Sequence, residues 1–141
     1  MAFKLTYATM FNPPEELHSR FEEALRQVRA NMGKEYGMII NGKDFFNDEK
    51  YEDINPANTD EVLAVFQKGD EKDAARAIEA AQKAFPMWEK TPWQERVHLM
   101  RRVADLIDER IYEIGAIVAL EVGKNRMEAL GDVAEDRKSV V

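Results

Sequence analysis

The chain is 141 residues long, 45% apolar and 33% charged, with no cysteine and a net charge of −7. That is one domain's worth of chain, able to bury roughly two-thirds of its unfolded surface if it folds alone. Lack of cysteine excludes disulfides, zinc–thiolate centres and thiol nucleophiles; the acidic balance argues against a nucleic-acid partner; and no run approaches the ~20 apolar residues of a membrane-spanning helix.

Residues 1–11 read as an irregular arm dotted with Phe3, Tyr7 and Phe11. Asn12 is suited to cap a helix, with Pro13 at its first position. Leu17, Phe21, Leu25, Val28 and Met32 then recur at helical spacing as one apolar stripe, and Gly33 is a suitable stop. Met38-Ile39-Ile40, Asn41-Gly42 and Lys43 to Phe46 read as a hairpin, because Asn-Gly supplies the positive φ angles of a tight type I′ turn. Tyr51–Ile54 is a candidate strand ended by Asn55-Pro56. Glu61–Gln67 is a stronger one, apolar on both faces, so both faces need covering. A free edge of that kind invites aggregation.

From Asp70 onward the pattern is helical. Asp70 and Asp73 favour a helix N-terminus. Ala74, Ile78, Ala81 and Phe85 form the next stripe, with Pro86 as the predicted stop. Thr91-Pro92-Trp93-Gln94 predicts a capping box with proline at the first helical position. Val97, Met100, Ala104, Ile107, Ile111, Ile114 and Val118 follow at steps of three and four, and Gly115 is the candidate kink or join in that run. Gly123 ends it, and Asn125-Arg126-Met127-Glu128 opens the last helix. Helix, short strands and then several helices imply α+β, or a piece of something larger.

Little chemistry is visible in the side chains. The glycines stand at 33, 37, 42, 69, 115, 123 and 131, so no Gly-x-Gly-x-x-Gly turn exists. Gly123-Lys124 does not end a phosphate loop, because Val118 and Asn125 occupy the positions that would need glycine and Ser or Thr. His18 and His98 have no second metal-type residue at a suitable spacing and read as polar-face or half-buried helical side chains. Trp88 and Trp93, flanking Lys90, fit packing beside a helix start better than a ligand-stacking site. Glu128 and Glu135, seven apart, share a helix face, most simply a solvated one; Glu121 is cut off from them by Gly123. The residues alone therefore give an acidic, helix-rich chain with no catalytic set and no metal or cofactor site of its own.

Asn55-Pro56-Ala57, Glu61-Val62, Ala75 to Phe85, Trp88, Glu95-Arg96, Ala104 to Ile107 and Glu121-x-Gly-Lys124, in this order, resemble the start of the aldehyde dehydrogenase family over roughly residues 36–135. Ala24-Leu25-Arg26-Gln27-Val28-Arg29, Gly33, Tyr36 and the hairpin are similar to the N-terminal extension of its pyrroline-carboxylate dehydrogenases, with Gly37 where that subfamily often has proline. The resemblance implies an α/β parent fold with nucleotide-binding and catalytic domains and an oligomerisation flap, of which this chain is the helix-rich N-terminal part with a hairpin and one or two further strands. It implies an NAD-dependent oxidation of glutamate γ-semialdehyde to glutamate, the second step of proline breakdown, in a homo-oligomer; Met1 to Thr6 lack the apolar core of a secretory signal, so a cytoplasmic location is expected. A cysteine thiolate attacks the aldehyde, hydride leaves to the nicotinamide, and water activated by a glutamate hydrolyses the thioester.

None of those groups has a counterpart here, so the chain alone is expected to be inactive and to bind no NAD, and its partner is the remainder of the parent enzyme. One position carries over: Glu135, in Asp132-Val133-Ala134-Glu135, matches a subfamily residue facing the aldehyde pocket, which makes it the candidate substrate contact. The alternatives are a small non-catalytic helical interaction module, and a cofactor-free enzyme using carboxylates such as Glu128 and Glu135. The latter needs a concave pocket and a raised carboxyl pKa. Residues 12–135 form the family-like part. Residues 136–141 depart from it and are expected to be a non-native tail, because GAT CGG AAG AGC GTC GTG, a widely used sequencing adapter, encodes them.

Overall fold

The computed structural model describes residues 12–140. The arm at 1–11 and Val141 lie outside the described residues.

Helix α1 (Glu15–Arg29) starts later than Asn12 predicts. Pro13 precedes a second proline, and a residue before proline is pushed out of the helical region. Pro14 is extended (φ −69°, ψ 155°) and becomes the cap, with Glu15 and Glu16 in the first turn. Of the predicted stripe, Leu17 and Phe21 are buried and Leu25 and Val28 pack beside them; Ala24 is buried with them, and Met32 falls in the turn beyond the helix. The helix ends at Arg29. Gly33 (φ +72°) instead turns the chain into a strand, its N–H donating to the Leu63 carbonyl at 3.0 Å.

That strand, β1 (Lys34–Tyr36), has no apolar alternation and is a strand the sequence does not announce. Strands β2 (Met38–Ile40) and β3 (Lys43–Phe45) form the predicted hairpin, with Asn41 at φ 50° and Gly42 at φ 71°. Strand β4 (Lys50–Ile54) runs antiparallel to β5 (Val62–Gln67), and β1 runs parallel to β5 on its other side, giving the order β1-β5-β4. The strand that reads as apolar on both faces is thus the centre of a three-stranded sheet. Tyr36 and Tyr51 flank Phe66, each ring 5.7 Å away.

Helix α2 (Glu71–Lys90) opens with a reciprocal capping box. Asp70 accepts from the N–H groups of Lys72 and Asp73, and Asp73 Oδ2 accepts from the Asp70 N–H at 3.0 Å. Pro86, the predicted stop, lies inside the helix. Proline removes one backbone donor; Gln82, whose carbonyl loses that donor, is exposed, and so are all residues from 81 to 90. Helix α3 (Trp93–Glu109) takes Pro92 as its N-cap, with no side-chain cap. The predicted Thr91 box does not form, because Thr91 Oγ1 donates backward to the Met87 carbonyl at 3.0 Å and closes α2 instead.

The join expected at Gly115 is at Arg110, between α3 and α4 (Ile111–Val122). Gly115 is buried inside α4 for a packing reason: a Cβ there would stand 2.8 Å from Leu130 Cδ2. Gly123 (φ +72°) caps α4 as predicted. Asn125 then caps α5 (Arg126–Ser139), its side chain accepting from the N–H groups of Met127 and Glu128 at 3.0 and 3.1 Å. The core is made by three helices: Leu17, Phe21 and Ala24 from α1, Ala116 from α4 and Leu130 from α5. Each large aliphatic or aromatic side chain buried there contributes about 1.5–3 kcal/mol. By contrast, Asp73 is the buried residue of α2, and Ala104 that of α3.

Candidate functional site

Four polar constellations are built by this frame. The first fixes the β4–β5 loop. Asn55 is buried, its Oδ1 accepts from the Ala57 N–H at 2.9 Å, and its Nδ2 donates to Glu61 Oε2 at 2.7 Å. That bond holds the Glu61 carboxyl below its usual range, and Arg29 at 3.6 Å ties the loop to the end of α1. Pro56 reaches the C-cap of α4 at Gly123. The Asn55-Pro56-Ala57 motif thus clamps a loop, with both polar atoms of the Asn55 side chain engaged.

The second joins the hairpin to α2. Asn47 N–H donates to Gln67 Oε1 at 2.8 Å and Asn47 Nδ2 donates to Asp73 Oδ2 at 2.7 Å, while Arg76 pairs with Asp73 at 3.2 Å and covers the Phe45 ring at 4.6 Å. The backbone N–H of Asp70 and the Asn47 amide hold the Asp73 carboxyl below its ordinary pKa. The third is centred on Arg126, which bonds His18 Nδ1 at 2.9 Å, pairs with Glu22 and lies 5.1 Å over the Phe21 ring. It staples α5 to α1. His18 is half-buried and His98 exposed, as predicted.

The fourth lines a groove of about 600 Å³ between α1, the three-stranded sheet and α4, with Val28, Leu63, Phe66, Ile117 and Leu120 on its walls. Arg110 and Glu113 at its rim form a two-pronged ion pair, both contacts 2.8 Å, which lowers the Glu113 pKa. A carboxyl held ionised in this way is a poor general acid. Among the described residues no three His, Asp or Glu side chains gather as metal ligands.

Glu135 sits in the last turns of α5, 58% exposed at its side chain and paired with Lys138 at 2.8 Å. Glu128 is exposed on the same helix and Glu121 on α4, so the structure does not bring the three carboxylates together in a pocket. Trp88 and Trp93, expected to pack beside a helix start, are largely exposed; the Trp88 ring faces Arg96 at 5.9 Å. Asn47, Gln67 and Arg126 carry no local signal of their roles, since their partners lie 20 to 108 residues away.

The N-termini of α2 and α5 are filled by their own Asp70, Asp73 and Asn125 side chains, those of α1, α3 and α4 carry no side-chain cap, and every helix has an acid in its first turn. The positive-φ glycines serve a strand entry, a hairpin turn and a helix cap.

The family profile described as "Aldehyde dehydrogenase family" matches residues 45–140. The chain belongs to the aldehyde dehydrogenase family. A 1-pyrroline-5-carboxylate dehydrogenase from Staphylococcus saprophyticus is 40% identical over 115 residues, which make up 82% of this chain and 22% of that protein. A 1-pyrroline-5-carboxylate dehydrogenase from Thermus, solved with bound NAD, matches with a TM-score of 0.90 at 34% identity, over 99% of this chain and 27% of its own. Proline utilization A from Bdellovibrio bacteriovorus matches with a TM-score of 0.88 at 26% identity, over 90% and 13%. The chain thus has the fold of the N-terminal region of aldehyde dehydrogenases and resembles that of pyrroline-5-carboxylate dehydrogenases. It spans 22% to 27% of the pyrroline-5-carboxylate relatives named here.

Proposed function

We propose that this chain is the N-terminal scaffold of an NAD-dependent dehydrogenase that oxidises glutamate γ-semialdehyde to glutamate in proline breakdown, and that it is inactive alone. The observation that carries this reading is the pairing of a near-complete structural match to a pyrroline-5-carboxylate dehydrogenase with coverage of about a quarter of it. The catalytic cysteine, its glutamate base, the oxyanion donors and the nucleotide loop belong to the remaining three-quarters. So does the hold on NAD. What this part supplies is shape: the clamped β4–β5 loop, the Arg126 staple and the α1–α4–α5 core form a rigid block. The assembled enzyme is a cytoplasmic homo-oligomer in this reading. The family match favours it over a free-standing helical interaction module.

Glu135 is the one residue proposed to touch substrate. Exposed on α5, and paired among the described residues with Lys138 of the proposed non-native tail, it would meet the substrate's ammonium group when the rest of the enzyme covers that face. In the full-length enzyme Glu135→Gln should raise KM for the semialdehyde; unaltered KM and kcat would remove it from the pocket. The chain alone should form no NADH from aldehyde and NAD, and turnover by it would overturn the proposal. We also propose that residues 136–141 are adapter-encoded, which the codons after 135 in the gene decide directly.

A further inference from the structure

Arg126 of α5 reaches back to α1 and bonds His18 Nδ1 at 2.9 Å. The chemistry of the two groups allows that contact in one protonation state only. A guanidinium has donors and no acceptor, and it keeps its charge throughout the pH range in which proteins are folded. Arg126 therefore donates. His18 Nδ1 has to offer a lone pair, which places the ring proton on Nε2 and makes the imidazole neutral. A second proton on the ring would turn Nδ1 into a donor. Two cationic donors would then face each other at hydrogen-bond distance, and the pair would repel. Water does little to relieve that clash, because His18 is half-buried and the Arg126 side chain is 29% exposed.

Among the described residues, the other charges near the ring are few. On α1, Glu15 and Glu22 stand about one turn to either side of His18, and both are exposed. Glu22 already pairs with Arg126, so one carboxylate would have to serve two cations. On α5 the residues one turn beyond Arg126, Ala129 and Leu130, are apolar and buried. On α4, which packs along α1, Glu113 is taken by Arg110, and Glu121 lines the groove at the Val28 end of α1. We propose that His18 and Arg126 form an acid-sensitive latch between α1 and α5, closed while His18 is neutral and opened when His18 takes up a proton. Opening draws Arg126 off the Phe21 ring, which it covers at 5.1 Å, and loosens α1 along the core it shares with α5. The closed latch binds one proton fewer than the open one. Its contribution is therefore complete above the ordinary imidazole range, about pH 6.5, and is lost as pH falls through that range. Glu35, Glu61, Asp73 and Glu113, whose neighbours hold them below the usual carboxyl range, keep their charge there, so their acid response is a separate one.

The test uses this chain by itself. Nitrogen-15 NMR of the imidazoles at about pH 8 should find His18 with Nε2 protonated and Nδ1 bare, with exposed His98 as the internal reference. Amide exchange, corrected for its intrinsic dependence on pH, should show protection across residues 15–29 falling about tenfold relative to α4 between about pH 8 and pH 5.5, the equivalent of one hydrogen bond to a charged group. His18→Asn sets an amide oxygen near the place of Nδ1 and cannot take up a proton, so it should keep α1 protected at both pH values. Arg126→Met should lose the latch at both, leaving α1 weakly protected to the same extent at either. Equal protection at the two pH values in the unaltered chain would overturn the latch. So would a pH response that survives in His18→Asn, or a neutral His18 that carries its proton on Nδ1. If Arg126→Met unfolds the chain, the tautomer and the His18→Asn comparison still decide.

Discussion

Gly115 shows how a tertiary contact sets a residue that local rules misread. In an exposed helix, glycine costs about 1 kcal/mol relative to alanine. Here a Cβ would meet Leu130 Cδ2 at 2.8 Å in the centre of the core. Gly115→Val should therefore destabilise the chain by about 1–3 kcal/mol, the usual cost of overpacking, read as a lower urea midpoint at unchanged slope. Combined with Leu130→Ala it should cost less than the two separate losses added, since the two side chains compete for one space; strict additivity would show that they do not. Asp73 makes a second prediction, in pH. Its folded pKa is depressed by the Asp70 N–H and Asn47, so the unfolded chain binds its proton more readily. The stability it supplies is complete above the ordinary aspartate range and declines as pH falls through that range toward the lowered folded value. Asp73→Asn should flatten this acid limb, and an unchanged melting profile between neutral and acid pH would refute the assignment.

Arg126 and Asn125 do at the scale of elements what the apolar residues do at the scale of side chains. Asn125 holds the N–H groups of α5, and Arg126 reaches back to His18 and Glu22 on α1. Asn125→Ala should cost about 1 kcal/mol, the ordinary value of an N-cap. Arg126→Met should keep contact with Phe21 but free α1, and hydrogen exchange across residues 15–29 should quicken more than across α4. Elements set by local chemistry were legible in the sequence: the Asn41-Gly42 hairpin, the α1 stripe, the Gly123 stop and the Asn125 cap. Elements set by partners were not. β1 consists of exposed Lys34, Glu35 and Tyr36 and exists because β5 offers it a parallel edge. Pro86 reads as a stop because its fixed geometry opposes a helix, yet α2 continues where its freed carbonyl lies among exposed residues. Glu135 is proposed as a substrate contact on its motif alone, whereas the roles of Asn47 and Arg126 follow from contacts distant in sequence.

For the molecule as a whole, stability is unevenly spread. The α1–α4–α5 core and the three-stranded sheet hold most of the buried apolar groups and the clamped loop. α2 holds one buried residue, and the described chain leaves its stripe in water. Local opening is cheapest where few apolar contacts are buried, so amides of residues 77–90 should exchange fastest among the helices and those of α4 slowest. The same surface should bind a hydrophobic dye and promote aggregation at concentrations where the complete enzyme stays clear. Thermal unfolding should be broad, because a helix anchored at one end only shares little of the cooperativity of the core. The chain joined to the remainder of such an enzyme as one polypeptide should melt more sharply and bind less dye, since one contact does both. A monomer that melts sharply without binding dye would mean that α2 finds its cover within these 141 residues, and the reading of this chain as one part of a larger dehydrogenase would lose its physical support.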